Sequence, residues 1–168
     1  MAAWADPRGQ ELFRRPELGA IGQEDWNAGF GALMGVEPKG LMARYLHDAW
    51  PAYPVLSVAR QARSAGIRTA VLSNSLGRTP YDPCAGFGLE GTFDAVVLSS
   101  DHGLRKPDAA LFKVVLDRLS LSADECVFVD DSEVNVEAAA RLGFTALLGL
   151  DEQVVARQLR ALLRLPAL

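Results

Sequence analysis

Hydrophobic and polar positions follow two different patterns along this 168-residue chain. In residues 1–52, apolar and aromatic residues recur at helical spacing, and this spacing predicts helices over 21–34 and 38–50. Such stripes are typical of helices that pack against one another. The N-terminal part of the chain is therefore predicted to be helical, with its aromatic residues in a core.

From residue 53 onward, helical stripes alternate with short apolar runs that are rich in β-branched residues. The runs predict strands over 67–72, 93–98, 126–129 and 144–148. The stripes predict helices over 54–65, 109–119, 132–142 and 154–163. This alternation favours a parallel sheet with helices on both faces. The predicted class is α/β, with a Rossmann-like core over 53–168 and a small helical domain over 1–52.

Composition and charge narrow the class of protein. Hydrophobic residues make up 49% of the chain, enough for a sizeable core, and the net charge of −4 comes without a basic stripe. We therefore expect no nucleic-acid partner, and no membrane partner either, because no apolar run is long enough to cross a bilayer. Cys84 and Cys126 lie far apart, which predicts reduced thiols in a cytoplasmic protein.

Two adjacent carboxylates, Asp130 and Asp131, directly follow the apolar run 126–129. Open α/β sheets bind their ligands at the carboxyl ends of their strands. Neighbouring carboxylates repel each other unless a cation or a proton lies between them, and Mg²⁺ is the natural hard cation for oxygen ligands. The alternative is a polar turn in which Ser132 caps the next helix.

Two further segments at strand ends carry polar groups. Ser73, Asn74 and Ser75 follow the strand 67–72, where a hydroxyl and backbone N–H groups can hold an anionic oxygen; the alternative is an ordinary polar turn. Lys106 precedes a helix and can direct its ammonium at the same anion; the alternative is a solvated loop lysine. Together with the carboxylates, these groups predict a site for Mg²⁺ and a small phosphorylated or anionic substrate.

The order and spacing of these segments resembles the haloacid dehalogenase (HAD) superfamily of hydrolases over about residues 15–165. Residues 71–75 resemble the second motif of that family, residues 104–108 the third, and residues 127–131 with Asn135 and Glu137 the fourth. Residues 1–52 resemble the small helical cap of many members. The resemblance implies Mg²⁺-dependent hydrolysis, most often of phosphate esters.

The resemblance also implies a role for each matching residue. Ser73 contacts a phosphoryl oxygen with Asn74 beside it, and Lys106 neutralises the substrate and the nucleophile. Asp131 binds Mg²⁺ directly, and Asp130 assists through water or through Lys106. Asn135 braces the loop. A response-regulator receiver domain combines similar groups, but its acidic pair comes before its lysine, whereas Lys106 comes first here.

The first motif of the family has no counterpart in this chain. That motif is a strand ending in Asp-x-Asp, whose first aspartate is the nucleophile, and no Asp-x-Asp occurs in the sequence. Deleting a catalytic nucleophile costs on the order of a millionfold in kcat in a well-studied protease. We therefore expect the chain as given to be inactive or strongly impaired. The alternative is a non-catalytic HAD-like module that binds a partner or an effector.

The missing strand has a structural consequence, because in the family it lies between the strands corresponding to 67–72 and 126–129. Its absence predicts two inner strand edges with unpaired backbone groups. Three arrangements would satisfy them. The two strands pair with each other, a second chain fills the gap as in a homodimer, or the natural protein begins further upstream. The last is the one we favour, through a misplaced start codon or a truncated chain.

Overall fold

The structure is a computed structural model that describes residues 6–89 and 91–166. Its helices are α1 (Pro7–Glu17), α2 (Gln23–Met34), α3 (Leu41–Tyr45), α4 (Tyr53–Ser64), α5 (Pro83–Gly86), α6 (Ala109–Leu119), α7 (Glu133–Arg141) and α8 (Glu152–Leu162). Its strands are β1 (Ala70–Ser73), β2 (Ala95–Leu98), β3 (Val127–Asp130) and β4 (Thr145–Leu148). The predicted alternation of strands and helices after residue 53 is confirmed.

Local chemistry sets several of these boundaries. The side chain of Asp108 accepts a hydrogen bond from the backbone of Ala110 and begins α6, as its sequence predicts. The strand predicted over 67–72 begins three residues later, at Ala70. Ile67 belongs to the end of the preceding helix, because its N–H donates to Ala62 O (3.0 Å) after Gly66 turns the chain at φ +83°.

The prediction of a long helix over 38–50 is wrong. Only α3 forms there, after Gly40 adopts a left-handed φ of +63° that prevents the helix from starting earlier. Leu41 and Met42 are buried, whereas Trp50 is 79% exposed. Leu46 still packs against the cluster of Phe13, Trp26 and Phe30, so only the end of the apolar stripe, at Trp50, lies outside the core.

The chain folds as two compact units, each assembled from separate segments. The first unit contains the described residues within 1–49, 73–90 and 98–105. Its core is a cluster of Phe13, Trp26, Phe30, Leu41 and Met42. These units are assembled from several segments and do not test the division into a cap over 1–52 and a core over 53–168, which stays a prediction.

The second unit contains the described residues within 50–72, 91–97 and 106–168, and it has helices on both faces of its strands. Side chains alternate between the faces, as a β-strand requires. Val127, Val129 and Leu147 pack against the α4 and α8 cluster, while Phe128 and Ala146 pack with residues of α6 and α7. Strands β3 and β4 are parallel, with Val127 opposite Thr145.

The strands form two separate two-stranded sheets within the described ranges: β1 pairs with β2, and β3 pairs with β4. Strands β1 and β3 do not pair with each other, so the first of the three arrangements is not adopted, and both inner edges are open as predicted. An apolar cleft of about 570 Å³ lies between them.

Candidate functional site

Lys106 lies at the carboxyl end of β3 in the second unit, and it is buried. Only 8% of the residue is exposed, so it is not a solvated loop lysine. Its Nζ donates to Asp130 Oδ2 at 2.6 Å and to Leu72 O at 2.8 Å. Lys106 therefore links the two sheets. It forms an ion pair with Asp130 of β3 and a hydrogen bond with the backbone of Leu72 in β1.

The second oxygen of Asp130 is held by the start of α7. Asp130 Oδ1 accepts from the Ser132 backbone N–H and from Asn135 Nδ2, both at 2.9 Å. Ser132 occupies the N-cap position, but its side chain makes no capping hydrogen bond, which corrects the prediction of a capping serine. Because Asn135 is buried one turn into α7, it fixes the orientation of the carboxylate.

The ion pair between Lys106 and Asp130 is buried, and both partners make further hydrogen bonds. The side chains of Lys106 and Asp130 are 10% and 6% exposed. A buried pair of opposite charges is tolerated when additional hydrogen bonds satisfy both partners, as the contacts of Leu72, Ser132 and Asn135 do here. Lys106 Nζ also lies 5.7 Å from the ring centroid of Phe128, within cation–π distance.

The two aspartates of the acidic pair have different environments. Asp131 is exposed, whereas both oxygens of Asp130 accept hydrogen bonds from protein groups. Across residues 6–89 and 91–166, no group of three or more His, Cys, Asp or Glu side chains is placed to hold a metal ion. Mg²⁺ typically uses one or two carboxylates and completes its shell with water and substrate phosphate. The exposed Asp131 carboxylate fits that mode of binding.

The predicted anion-binding segment after β1 belongs to the first unit. Ser73 is the last residue of β1 and is half-buried, as is Asn74. Ser75 is buried, and its N–H donates to Ser99 Oγ at 2.9 Å. The structure thus brings together Lys106, Asp130 and Asn135, while the roles of Ser73, Asn74 and Asp131 stay predictions.

Two contacts of this region carry no sequence signal that we recognised. The carbonyl of Leu72 is a backbone group, and its bond to Lys106 depends on where β1 ends. Ser99 follows β2 as the first residue of a 3-10 turn at Ser99–Asp101, and its position gave no indication that it would bind the Ser75 backbone. The sequence showed only that Ser99 is a polar residue directly after a predicted strand, which does not identify its partner.

No disulfide joins Cys84 to Cys126. Burial raises the pKa of the Cys126 thiol, and the neighbouring charges of Glu125 and Asp124 raise it further, so this thiol stays protonated near neutral pH. In the described residues, no helix has both the length and the apolar character needed to cross a bilayer.

The layered strands and helices, with a lysine–carboxylate pair at the strand ends, define an α/β domain. The family model for a haloacid dehalogenase-like hydrolase matches residues 8–143, and the chain belongs to that family. This match confirms the resemblance seen in the sequence.

Two further proteins are similar to this chain over most of its length. Acyl-CoA dehydrogenase family member 10 of Mus musculus is 35% identical over 115 residues, which cover 68% of this chain and 11% of that protein. Phosphoserine phosphatase of Thermus thermophilus is 25% identical over 154 residues, which cover 90% of this chain and 57% of that enzyme. The chain therefore spans less than two thirds of the length of either relative.

A HAD family enzyme of Bacteroides thetaiotaomicron, crystallised with magnesium and inorganic phosphate, has a similar structure. The TM-score is 0.66 at 25% identity, covering 86% of this chain and 78% of that one. The similarity confirms the α/β fold class predicted from the alternating pattern.

Proposed function

We propose that this chain is a Mg²⁺-dependent, phosphatase-type hydrolase domain that binds a small phosphorylated molecule and turns it over very slowly or not at all. The observation that carries the proposal is the buried Lys106–Asp130 pair, braced by Asn135 at the strand ends. Two kinds of relative support it: an enzyme named for phosphoserine hydrolysis and a structure that holds magnesium with phosphate.

Each residue has a defined task in this proposal. Lys106 places a fixed positive charge at the strand ends, where it lowers the free energy of a bound phosphate dianion. Ser73 donates its hydroxyl to a phosphoryl oxygen, and Asn74 binds beside it. Asp131 holds Mg²⁺ and Asp130 orients this assembly through Lys106 or water. When bound, Mg²⁺ supplies positive charge that offsets the charge on the phosphoryl oxygens.

The limit on turnover follows from the missing nucleophile. No Asp-x-Asp occurs in the sequence, so no carboxylate in that motif is available to attack phosphorus. The same absence favours the second candidate, a HAD-like module that binds a phosphorylated effector without catalysis. A cytoplasmic location and a homodimer stay predictions.

The test combines binding and turnover. Phosphate binding with and without Mg²⁺ is measured by calorimetry, and hydrolysis of p-nitrophenyl phosphate is measured alongside, with Asp131→Ala as the control because Asp131 is exposed and its loss spares the fold. We expect Mg²⁺-dependent phosphate binding that Asp131→Ala weakens at least tenfold. Slight turnover above the control indicates an impaired hydrolase, and none indicates the binding module. Efficient turnover, or no phosphate binding, contradicts the proposal.

A further inference from the structure

Buried polar side chains hold the loop that follows β1 in the first unit. Ser99 Oγ accepts from the N–H of Ser75 at 2.9 Å and donates to Ser75 O at 3.5 Å. Ser75 Oγ in turn accepts from the N–H of Gly77 at 3.2 Å. Ser99 is 0% exposed and Ser75 is 8% exposed, so water competes little for these hydrogen bonds. The backbone of the loop is therefore fixed at its start, directly after Asn74.

The far end of the same loop is held by Gln23 on α2, which is 1% exposed. Its Nε2 donates to Gly77 O and to Tyr81 O, both at 2.8 Å, and its Oε1 accepts from the N–H of Tyr81 at 2.9 Å. A methionine would fill a similar volume on this helix without these bonds. The amide of Gln23 therefore adds a hold on the loop backbone, and burial makes that hold costly to lose.

The loop directly follows Ser73 and Asn74, the two residues that the proposed function assigns to the phosphate. Just before this pair, Leu72 O accepts from Lys106 Nζ at 2.8 Å. The backbone is thus held both immediately before Ser73 and immediately after Asn74. Donors that are fixed before an anion arrives lose less conformational entropy when it binds, and they need no reorganisation to face it.

We propose that Ser99 and Gln23 are positioning residues, which hold the loop after β1 so that the Ser73 hydroxyl is preorganised for a phosphoryl oxygen. Neither side chain needs to touch the ligand. Ser99 acts through the backbone of Ser75, whereas Gln23 acts one step further away, through Gly77. The effect of Ser99 on phosphate affinity is therefore the larger of the two. This inference rests on the proposed function, because it requires phosphate to bind beside Ser73.

The test measures phosphate binding to the full chain by calorimetry in the presence of Mg²⁺. Ser99→Ala removes the hydroxyl that holds Ser75, and we expect the Kd for phosphate to rise roughly fivefold or more. Gln23→Met keeps a similar volume but removes the amide, and we expect a rise of about threefold. The fold-changes rank the two residues by their distance along the chain of hydrogen bonds from Ser73.

A matched control separates positioning from stability. Asn27 is also a buried amide on α2, but its Oδ1 accepts from the N–H of Met42 at 2.8 Å and not from the loop after β1. Asn27→Ala should therefore destabilise the first unit and leave the Kd for phosphate unchanged. Amide hydrogen exchange, followed by NMR without phosphate, gives a second readout. Exchange at Ser75 should be at least tenfold faster in Ser99→Ala, because that amide loses its acceptor, and unchanged in Asn27→Ala.

Weaker phosphate binding in Ser99→Ala and Gln23→Met, but not in Asn27→Ala, supports the inference. Unchanged affinity in the first two variants overturns it, and so do equal losses in all three or unchanged exchange at Ser75 in Ser99→Ala. If Ser99→Ala does not fold, Gln23→Met against Asn27→Ala decides by the same criterion. No phosphate binding by the unsubstituted chain overturns the proposed function and this inference with it, whereas unchanged affinity in the variants overturns this inference alone.

Discussion

The two compact units differ in how completely their cores are packed. In the first, the rings of Phe13, Trp26 and Phe30 pack at centroid distances of 4.7 to 5.7 Å. In the second, two apolar clusters lie on opposite faces of strands that are divided by a 570 Å³ cleft. Helices that pack side by side can form a continuous core. A sheet whose central strands do not pair with each other leaves a gap between them. In the second unit, both outer layers of helices are in place although the sheet between them is divided.

The second unit has an aromatic cluster too, formed by Phe112, Phe128 and Phe144, and polar contacts join its strands as well. Lys106 links β1 and β3 at their carboxyl ends, and Asp94 links β1 to β2 near their amino ends. We therefore expect the stability of the second unit to respond to charge and pH as well as to side-chain volume.

The largest expected effect comes from removing the link between the divided sheets. Lys106→Met leaves the Asp130 carboxylate buried without its cation, and we expect a loss of about 3–5 kcal/mol in the free energy of unfolding. The matched control is Lys113→Met, which removes an exposed ion pair with Asp117 and should cost no more than about 0.5 kcal/mol. Similar losses in the two variants, measured by urea denaturation, would show that Lys106 does not stabilise the second unit.

The same leucine-to-alanine change tests packing in each unit directly. Leu41→Ala removes volume from the closed cluster of the first unit and should cost about 2–4 kcal/mol. Leu116→Ala enlarges a gap that already exists beside the cleft, so we expect about 1 kcal/mol. Equal losses in urea denaturation would mean that the cleft wall is as tightly packed as the aromatic cluster.

A smaller loss of stability is expected when the hydrogen bond from Asn135 to Asp130 is removed. Asn135→Ala removes a hydrogen bond to a carboxylate and should lower the free energy of unfolding by about 1.5–2 kcal/mol. A double-mutant cycle with Asp130→Ala checks the cause, since the Asn135 effect should largely disappear when the carboxylate is absent. Additive losses would place the Asn135 contribution elsewhere.

The smallest effect depends on pH. Hydrogen bonds from the Thr69 backbone and the Arg63 guanidinium hold the pKa of Asp94 below its ordinary value of 3.8. Because the folded pKa is lowered, this carboxylate stabilises the fold above pH 3.8, and the contribution is lost as the pH falls through the folded pKa. Asp94→Asn should lower Tm slightly at pH 7 and have no effect in strong acid. A Tm difference that does not depend on pH would contradict this linkage.

The sequence predicted the strand-end residues because parallel strands bring their carboxyl ends to one edge. Lys106 and Asp130, 24 residues apart, meet for that reason. The open inner edges were predicted from the absent motif, and the divided sheet confirms them. The distinct environments of Asp130 and Asp131 were harder to foresee, since only the Asn135 and Ser132 donors decide which carboxylate turns inward.

Other features depend on contacts that periodicity does not encode. The apolar stripe over 38–50 resembles a helix, yet the turn at Gly40 limits it to α3. Gln23 lies within a helical stripe, but its buried side chain binds the backbone of Gly77 and Tyr81, 54 and 58 residues away. Such long-range bonds to loop carbonyls depend on the tertiary fold, so a sequence pattern alone does not predict them.

Hydrogen exchange of the chain alone, resolved for single amides, tests the divided sheet most directly. We expect an alternating pattern in β3: slow exchange at Phe128, whose backbone faces β4, and fast exchange at Val127 and Val129, whose backbone groups face the cleft. The same alternation is expected in β1, with Val71 slow and Ala70 and Leu72 fast. Uniformly slow exchange across both strands in the monomeric chain would mean that the cleft is closed, and would contradict the account.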